Sequence, residues 1–177
     1  MTAWFRDWLT GLTVAILTAA GLALLCVLVL SLQGSPFWTE LLLEPPYRKP
    51  ELVGSYAPEL MEHVQWSAFA CIGAALAGFA LWQLTVLVAR PTGPGQVRWS
   101  WRSIVWLTLL VLVGGAGGFA PYWLLAVRLD GVDAEAARRL AAILGPVAIA
   151  LFWLLSVLSA GRMMRPAIPL GRMMPVQ

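Results

Sequence analysis

Glu59, Glu62 and His63 come nearest, by type and spacing, to a reactive group in this chain. On a helix they stand at i, i+3 and i+4, which gathers three possible metal ligands on one side. The same spacing arises on any polar helix face, and His63 is the sole histidine. The three are weak candidates for a metal site, and the expectation is that no metal and no cofactor is held. One histidine also excludes a self-contained bis-histidine haem.

Cys26 and Cys71 both lie inside apolar runs. A reactive or metal-binding thiol needs an electropositive, partly exposed setting, so both read as small buried hydrophobes. Quinone-linked disulfide chemistry would need paired cysteines in external loops, and there are none there.

The run Gly114-Gly115-Ala116-Gly117-Gly118-Phe119-Ala120-Pro121 offers a different chemistry. Glycines and a proline this dense weaken a helix. One reading is a broken helix whose freed carbonyls bind an ion or substrate, as in transporters. The other is a contact surface where a neighbouring helix lies against bare backbone. Broken-helix sites come with polar side chains nearby, and this run has none. Nor is it a phosphate loop, because no Lys-Ser or Lys-Thr follows.

Elsewhere in the apolar segments the polar residues include Thr13, Thr18, Ser67, Gln83, Thr85, Thr108, Ser156 and Ser159. Such hydroxyls mostly bond carbonyls of their own helix. Enzyme chemistry in a membrane needs an acid, base, nucleophile or metal in a polar pocket, and coupled transport normally shows an intramembrane ionisable group. Neither requirement is met. No catalytic residue is expected, and the chain reads as a non-enzyme.

The elements that would carry these residues are apolar runs. The 177-residue chain is 60% hydrophobic and 12% charged, where a soluble domain averages about 25% charged. Four stretches, 11–32, 66–89, 103–127 and 140–161, each have the ~20 residues that carry a helix through a ~30 Å hydrocarbon layer. None holds Asp, Glu, Lys or Arg in its middle, and no period-two alternation supports a barrel. The expected fold class is all-α: a polytopic membrane bundle of four transmembrane helices, one domain over 1–177, with a short-helix external loop between the first two. The first run is too long for a signal peptide and lacks a cleavage site, so it is expected to be retained. Ala23-Leu24-Leu25-Cys26 fails as a lipoprotein box because leucine precedes the cysteine.

Cations set the expected orientation. Arg90, Arg98 and Arg102 in the link 90–102, and Arg162, Arg165 and Arg172 in the tail 162–177, have no acid to oppose them. The link after the first span sets Glu40, Glu44, Glu51, Glu59 and Glu62 against Arg48 and Lys49. The link after the third balances Arg128, Arg138 and Arg139 against Asp130, Asp133 and Glu135. With Arg6, the positive-inside rule puts both termini and the link 90–102 in the cytoplasm of a bacterial inner membrane. A net charge of +3, without a basic run, argues against nucleic acid as a partner.

Trp4, Trp8, Trp38, Trp66, Trp99, Trp101 and Trp123 fall near span ends, the interfacial depth that suits an indole. Trp82, Trp106 and Trp153 are deeper and are expected between helices. Small residues four apart mark helix contact faces in lipid. They are Ala15, Ala19 and Ala23 in the first span, Ala70, Ala74 and Gly78 in the second (with Gly73 and Ala77 beside them), and Gly114 and Gly118 in the third. Gly145-Pro146 is expected to bend the fourth span. Before it, 133–139 reads as a helix start capped by Asp133, extending that span outward.

Residues 33–65 are the one sizeable polar segment. Phe37 to Glu44 is expected to form two turns lying in the membrane interface, and Ala57 to Val64 a second short helix. The Pro-Pro-Tyr-Arg-Lys-Pro stretch between them is expected to be extended. Phe37, Trp38, Leu41 and Leu42 are the candidate partner-docking surface. The expected partners are the lipid bilayer and other integral membrane subunits. The function expected first is a non-catalytic accessory or scaffold subunit of a larger inner-membrane complex, of respiratory, photosynthetic or secretion type. The second is a small oligomeric channel or transporter subunit using the glycine-rich part of the third span.

Overall fold

A computed structural model describes residues 3–88 and 101–159, together with Ile168. Arg90, Arg98, Trp99, Arg162, Arg165 and Arg172 lie outside the described residues, as do the side chains of Trp4 and Arg6.

The fold is all-α. Helix α1 spans Ala3–Leu42, α2 Pro50–Val88, α3 Trp101–Tyr122 and α4 Ala134–Ser159. Among the described residues four helices are long and apolar enough to cross a membrane. Side chains such as Ile16, Leu17, Leu24, Val111 and Leu112 are exposed on their outer faces, an arrangement suited to hydrocarbon and costly in water.

Gly34 ends the straight part of α1. Its backbone is left-handed (φ 66°, ψ 170°), where a Cβ would be strained. The helix resumes beyond it, and Phe37–Leu42 turns back over the bundle. Trp38, Leu42 and Leu43 pack there in one cluster with Leu60, Val64, Leu125, Leu129 and Val132.

The segment that follows differs from expectation in two ways. Pro45–Arg48 is not extended but a 3-10 turn, closed by the Tyr47 amide donating to the Glu44 carbonyl at 2.9 Å. The short helix expected over 57–64 is continuous with the second span: α2 runs unbroken from Pro50. Pro50 opens the helix, where its missing N–H costs nothing. Pro58 withdraws one donor from the carbonyl four residues back, but Gly54 and Pro58 are both exposed.

The glycine run of α3 stays helical through Tyr122. After Pro121 the backbone widens into a π-helix over Trp123–Val127, and the Arg128 amide donates to the Trp123 carbonyl five residues back. Helix α4 starts where Asp133 Oδ1 accepts from the Glu135 amide at 2.9 Å and the Ala136 amide at 3.4 Å. It continues through Pro146 without interruption.

The two connections at this end are tied together. Leu43 and Val132 form an isolated antiparallel bridge. The Glu44 amide donates to the Gly131 carbonyl at 3.1 Å, and the Asp133 amide to the Leu42 carbonyl at 2.7 Å. Arg48 Nε adds a bond to the Leu43 carbonyl at 2.8 Å. This end of the bundle is a packed cap.

Candidate functional site

The metal candidates are not assembled. His63 Nδ1 donates to the Glu59 backbone carbonyl at 2.8 Å, while the Glu62 carboxylate accepts from Trp66 Nε1 at 3.3 Å. Among the described residues no group of three His, Cys, Asp or Glu side chains is placed to hold a metal ion. Both cysteines are free thiols, Cys26 half-buried and Cys71 buried. Cys71 Sγ donates to the Leu144 carbonyl at 3.3 Å, a contact between α2 and α4.

The glycine run is a packing face. A Cβ built on Gly114 would lie 2.6 Å from Ile149 Cδ1, one on Gly117 would collide with Ala148 Cβ, and one on Gly118 would lie 3.2 Å from the Ala141 carbonyl oxygen. Gly145 answers from α4, where a Cβ would meet the Gly114 carbonyl oxygen at 3.0 Å. Gly115, on the other side of α3, has open space. Helices α3 and α4 therefore meet through bare backbone on both sides, the close approach that drives association in lipid.

The small-residue stripes of the first two helices are placed unevenly. Ala15 and Ala19 are buried and Ala23 is half-buried. In α2 Gly78 is buried against Val113 and Phe152, but Ala70 and Ala74 are only half-buried. The buried face lies one residue further on, through Cys71, Ala75, Phe79 and Trp82.

Of the docking residues, Phe37 and Leu41 are exposed, while Trp38 and Leu42 belong to the cap's own core. The expected surface of four is thus a surface of two. Residues i and i+4 here look outward, and the neighbours at i+1 and i+5 are consumed by folding.

Most polar groups of the spans fall into two sets. Thr13, Thr18, Thr85 and Thr108 donate to carbonyls four residues back in their own helices, and Ser67 donates to the His63 carbonyl. The second set crosses between helices. Trp8 Nε1 of α1 donates to Gln83 Oε1 of α2 at 2.8 Å. Gln83 Nε2 donates to Ser159 Oγ of α4 at 2.6 Å, and Ser159 Oγ donates to the Ser156 carbonyl at 3.2 Å. Gly11 lets α1 come this close, because any Cβ there would lie 2.7 Å from the Ser159 carbonyl oxygen.

This chain of neutral groups was not legible as a unit in the sequence. One signal pointed to it: a glutamine amide in a span has two donor hydrogens and an acceptor, more than its own helix can satisfy. Every group in it is a neutral donor or acceptor, so it can hold helices together or orient a polar ligand. It supplies no acid, base or nucleophile at neutral pH.

No protein-family model matches the chain, and no curated protein or solved structure matches it.

Proposed function

We propose that this chain is a non-catalytic accessory or scaffold subunit of a larger complex in a bacterial inner membrane, with both termini on the cytoplasmic side. The observation that carries this reading is the use made of its polar groups. The Trp8–Gln83–Ser159 chain spends its hydrogen bonds on joining α1, α2 and α4. A catalytic or ion-coupled site would need an acid, base or other ionisable group held in a polar pocket.

The outward faces are apolar and broad, above all on α1, where Ile16, Leu17, Leu24, Leu25, Leu28 and Leu32 are exposed. Such faces suit lipid or neighbouring membrane helices. Respiratory, photosynthetic and secretion complexes fit alike. A channel or transporter subunit built on the glycine run draws no support, because the faces of Gly114, Gly117 and Gly118 lie against α4.

The test is affinity purification from native membranes in mild detergent, with quantitative mass spectrometry. A subunit brings down defined integral membrane proteins in fixed ratio. Recovery of the chain alone, as a uniform species, would end the subunit reading.

A further inference from the structure

Trp123 and Arg128 flank the π-turn that follows α3, and the Arg128 guanidinium carbon stands 4.8 Å from the centre of the Trp123 ring. In an α-helix a residue five places on points roughly 140° away from the first. The wider turn over Trp123–Val127 brings position 128 round to the same side. Both side chains are exposed. Asp130 and Asp133, the acids nearest in sequence, are not within ion-pair distance of Arg128; the ion pairs among the described residues belong to Arg138 and Arg139. An indole face steadies a cation but offers it no lone pair, so the guanidinium keeps N–H groups for another acceptor.

This pair heads a line down the outward side of α3. Phe119, one turn below Trp123, is 67% exposed, and Gly115 lies one turn below Phe119. A Cβ on Gly115 would meet nothing within 4 Å, and Leu112 on its far side is 61% exposed. Gly115 is thus a notch between Leu112 and Phe119. The bundle leaves it open, because Gly114, Gly117 and Gly118 are the glycines that meet α4. Trp123 and Gly115 are about 12 Å apart along the axis, within the ~15 Å hydrocarbon depth of one leaflet.

A cation, an indole, a phenyl ring and a strip of bare backbone follow one another in the order of a phospholipid's own parts. Arginine matches a phosphate in charge and in the spacing of its N–H groups. Tryptophan suits the boundary between headgroups and chains. An acyl chain in the notch gains van der Waals contact, the attraction that remains where the surroundings are equally apolar. We propose that the outward face of α3 binds one phospholipid, its phosphate on Arg128 and one acyl chain running past Phe119 into the notch at Gly115. The π-turn then has a role: it lines the cation up with the track below it.

Native mass spectrometry of the full chain, released from detergent micelles that contain dioleoyl phosphatidylglycerol, tests the site. The parent retains one such lipid in preference to dioleoylglycerol, which has the same chains and no phosphate. Inorganic phosphate at millimolar concentration does not displace it, because the chains hold it too. Arg128→Gln lowers the affinity about tenfold, the loss of one hydrogen bond to a charged group. Arg128→Lys, which keeps the charge and gives up the planar fork, lowers it less.

Gly115→Leu fills the notch. It lowers retention of the lipid several-fold, while the lipid-free protein unfolds at the parent's temperature because the new side chain meets no other helix. Equal retention of the two lipids, or unchanged retention in Arg128→Gln, overturns the phosphate contact. Displacement by inorganic phosphate would mark a site for free anions and overturn the lipid reading. Unchanged retention in Gly115→Leu overturns the acyl track.

Discussion

Gly145 of α4 lies over Gly114 of α3 so closely that a single added methyl on Gly145 would stand 3.0 Å from the Gly114 carbonyl oxygen. Neither helix can recede from the other without giving up the contacts of Gly117 with Ala148 and of Gly118 with Ala141 along the same seam.

Position therefore decides what a glycine substitution does in α3. Gly117→Val drives a side chain into Ala148 Cβ, an atom fixed to the α4 backbone. It should destabilise the protein by about 1–3 kcal/mol, the usual cost of overpacking a tight core. Gly115→Ala meets nothing within 4 Å and should be neutral, or stabilising by up to ~1 kcal/mol through helix propensity. Thermal unfolding in detergent separates the two; equal effects would show that the seam is not where the helices bear on each other.

Gly131 holds the cap in a backbone conformation open to few other residues. Its φ is +78°, and a Cβ would sit 2.9 Å from the Tyr47 ring. Gly131→Ala should cost about 1–2 kcal/mol from the left-handed backbone alone, and more from displacing Tyr47. The amides of Glu44 and Asp133, which bond across the two connections, should then exchange hydrogen faster, while amides in the glycine seam stay protected.

Gln83→Leu keeps the side-chain volume and removes the link between Trp8 and Ser159. Hydrogen bonds between membrane helices are worth about 0.6 kcal/mol on average and up to ~1.7. Gln83 makes two, so a loss of about 1–2 kcal/mol is expected. Tryptophan fluorescence should shift as the Trp8 indole loses its hydrogen bond to Gln83. A variant as stable as the parent would show that α1 is held by apolar packing alone.

The proposed orientation predicts which sites an impermeant thiol reagent reaches in intact cells. In a background lacking Cys26 and Cys71, Lys49→Cys and Arg138→Cys should be labelled from outside, and Arg98→Cys and Arg172→Cys only after the membrane is opened. The reverse pattern would invert the topology.

How much of the site was legible varies residue by residue. The Asp133 cap and the start of α4 at Ala134 could be read directly, because capping is settled by residues within one turn. The glycine run could be read only as two alternatives, break or contact. The choice depended on α4 presenting Gly145, Ala148 and Ala141 opposite it, and no local pattern reveals that pairing. The buried stripe of α2 was misplaced by one residue, from Ala70 and Ala74 to Cys71 and Ala75, because both faces of a membrane helix are apolar. In water a polar face would have marked the outside; in lipid that contrast is missing.

Composition and run length by themselves determined that this is an all-helical chain with four segments able to cross a membrane, since backbone hydrogen bonding in hydrocarbon permits little else. The tertiary structure alone decided which faces meet, that Trp38 and Leu42 are core and not surface, and that Trp8, Gln83 and Ser159 join three helices. The physical reason is one of range. Helix formation is governed by neighbours a turn away, whereas residues 75 and 76 positions apart come together only after every helix has chosen its face.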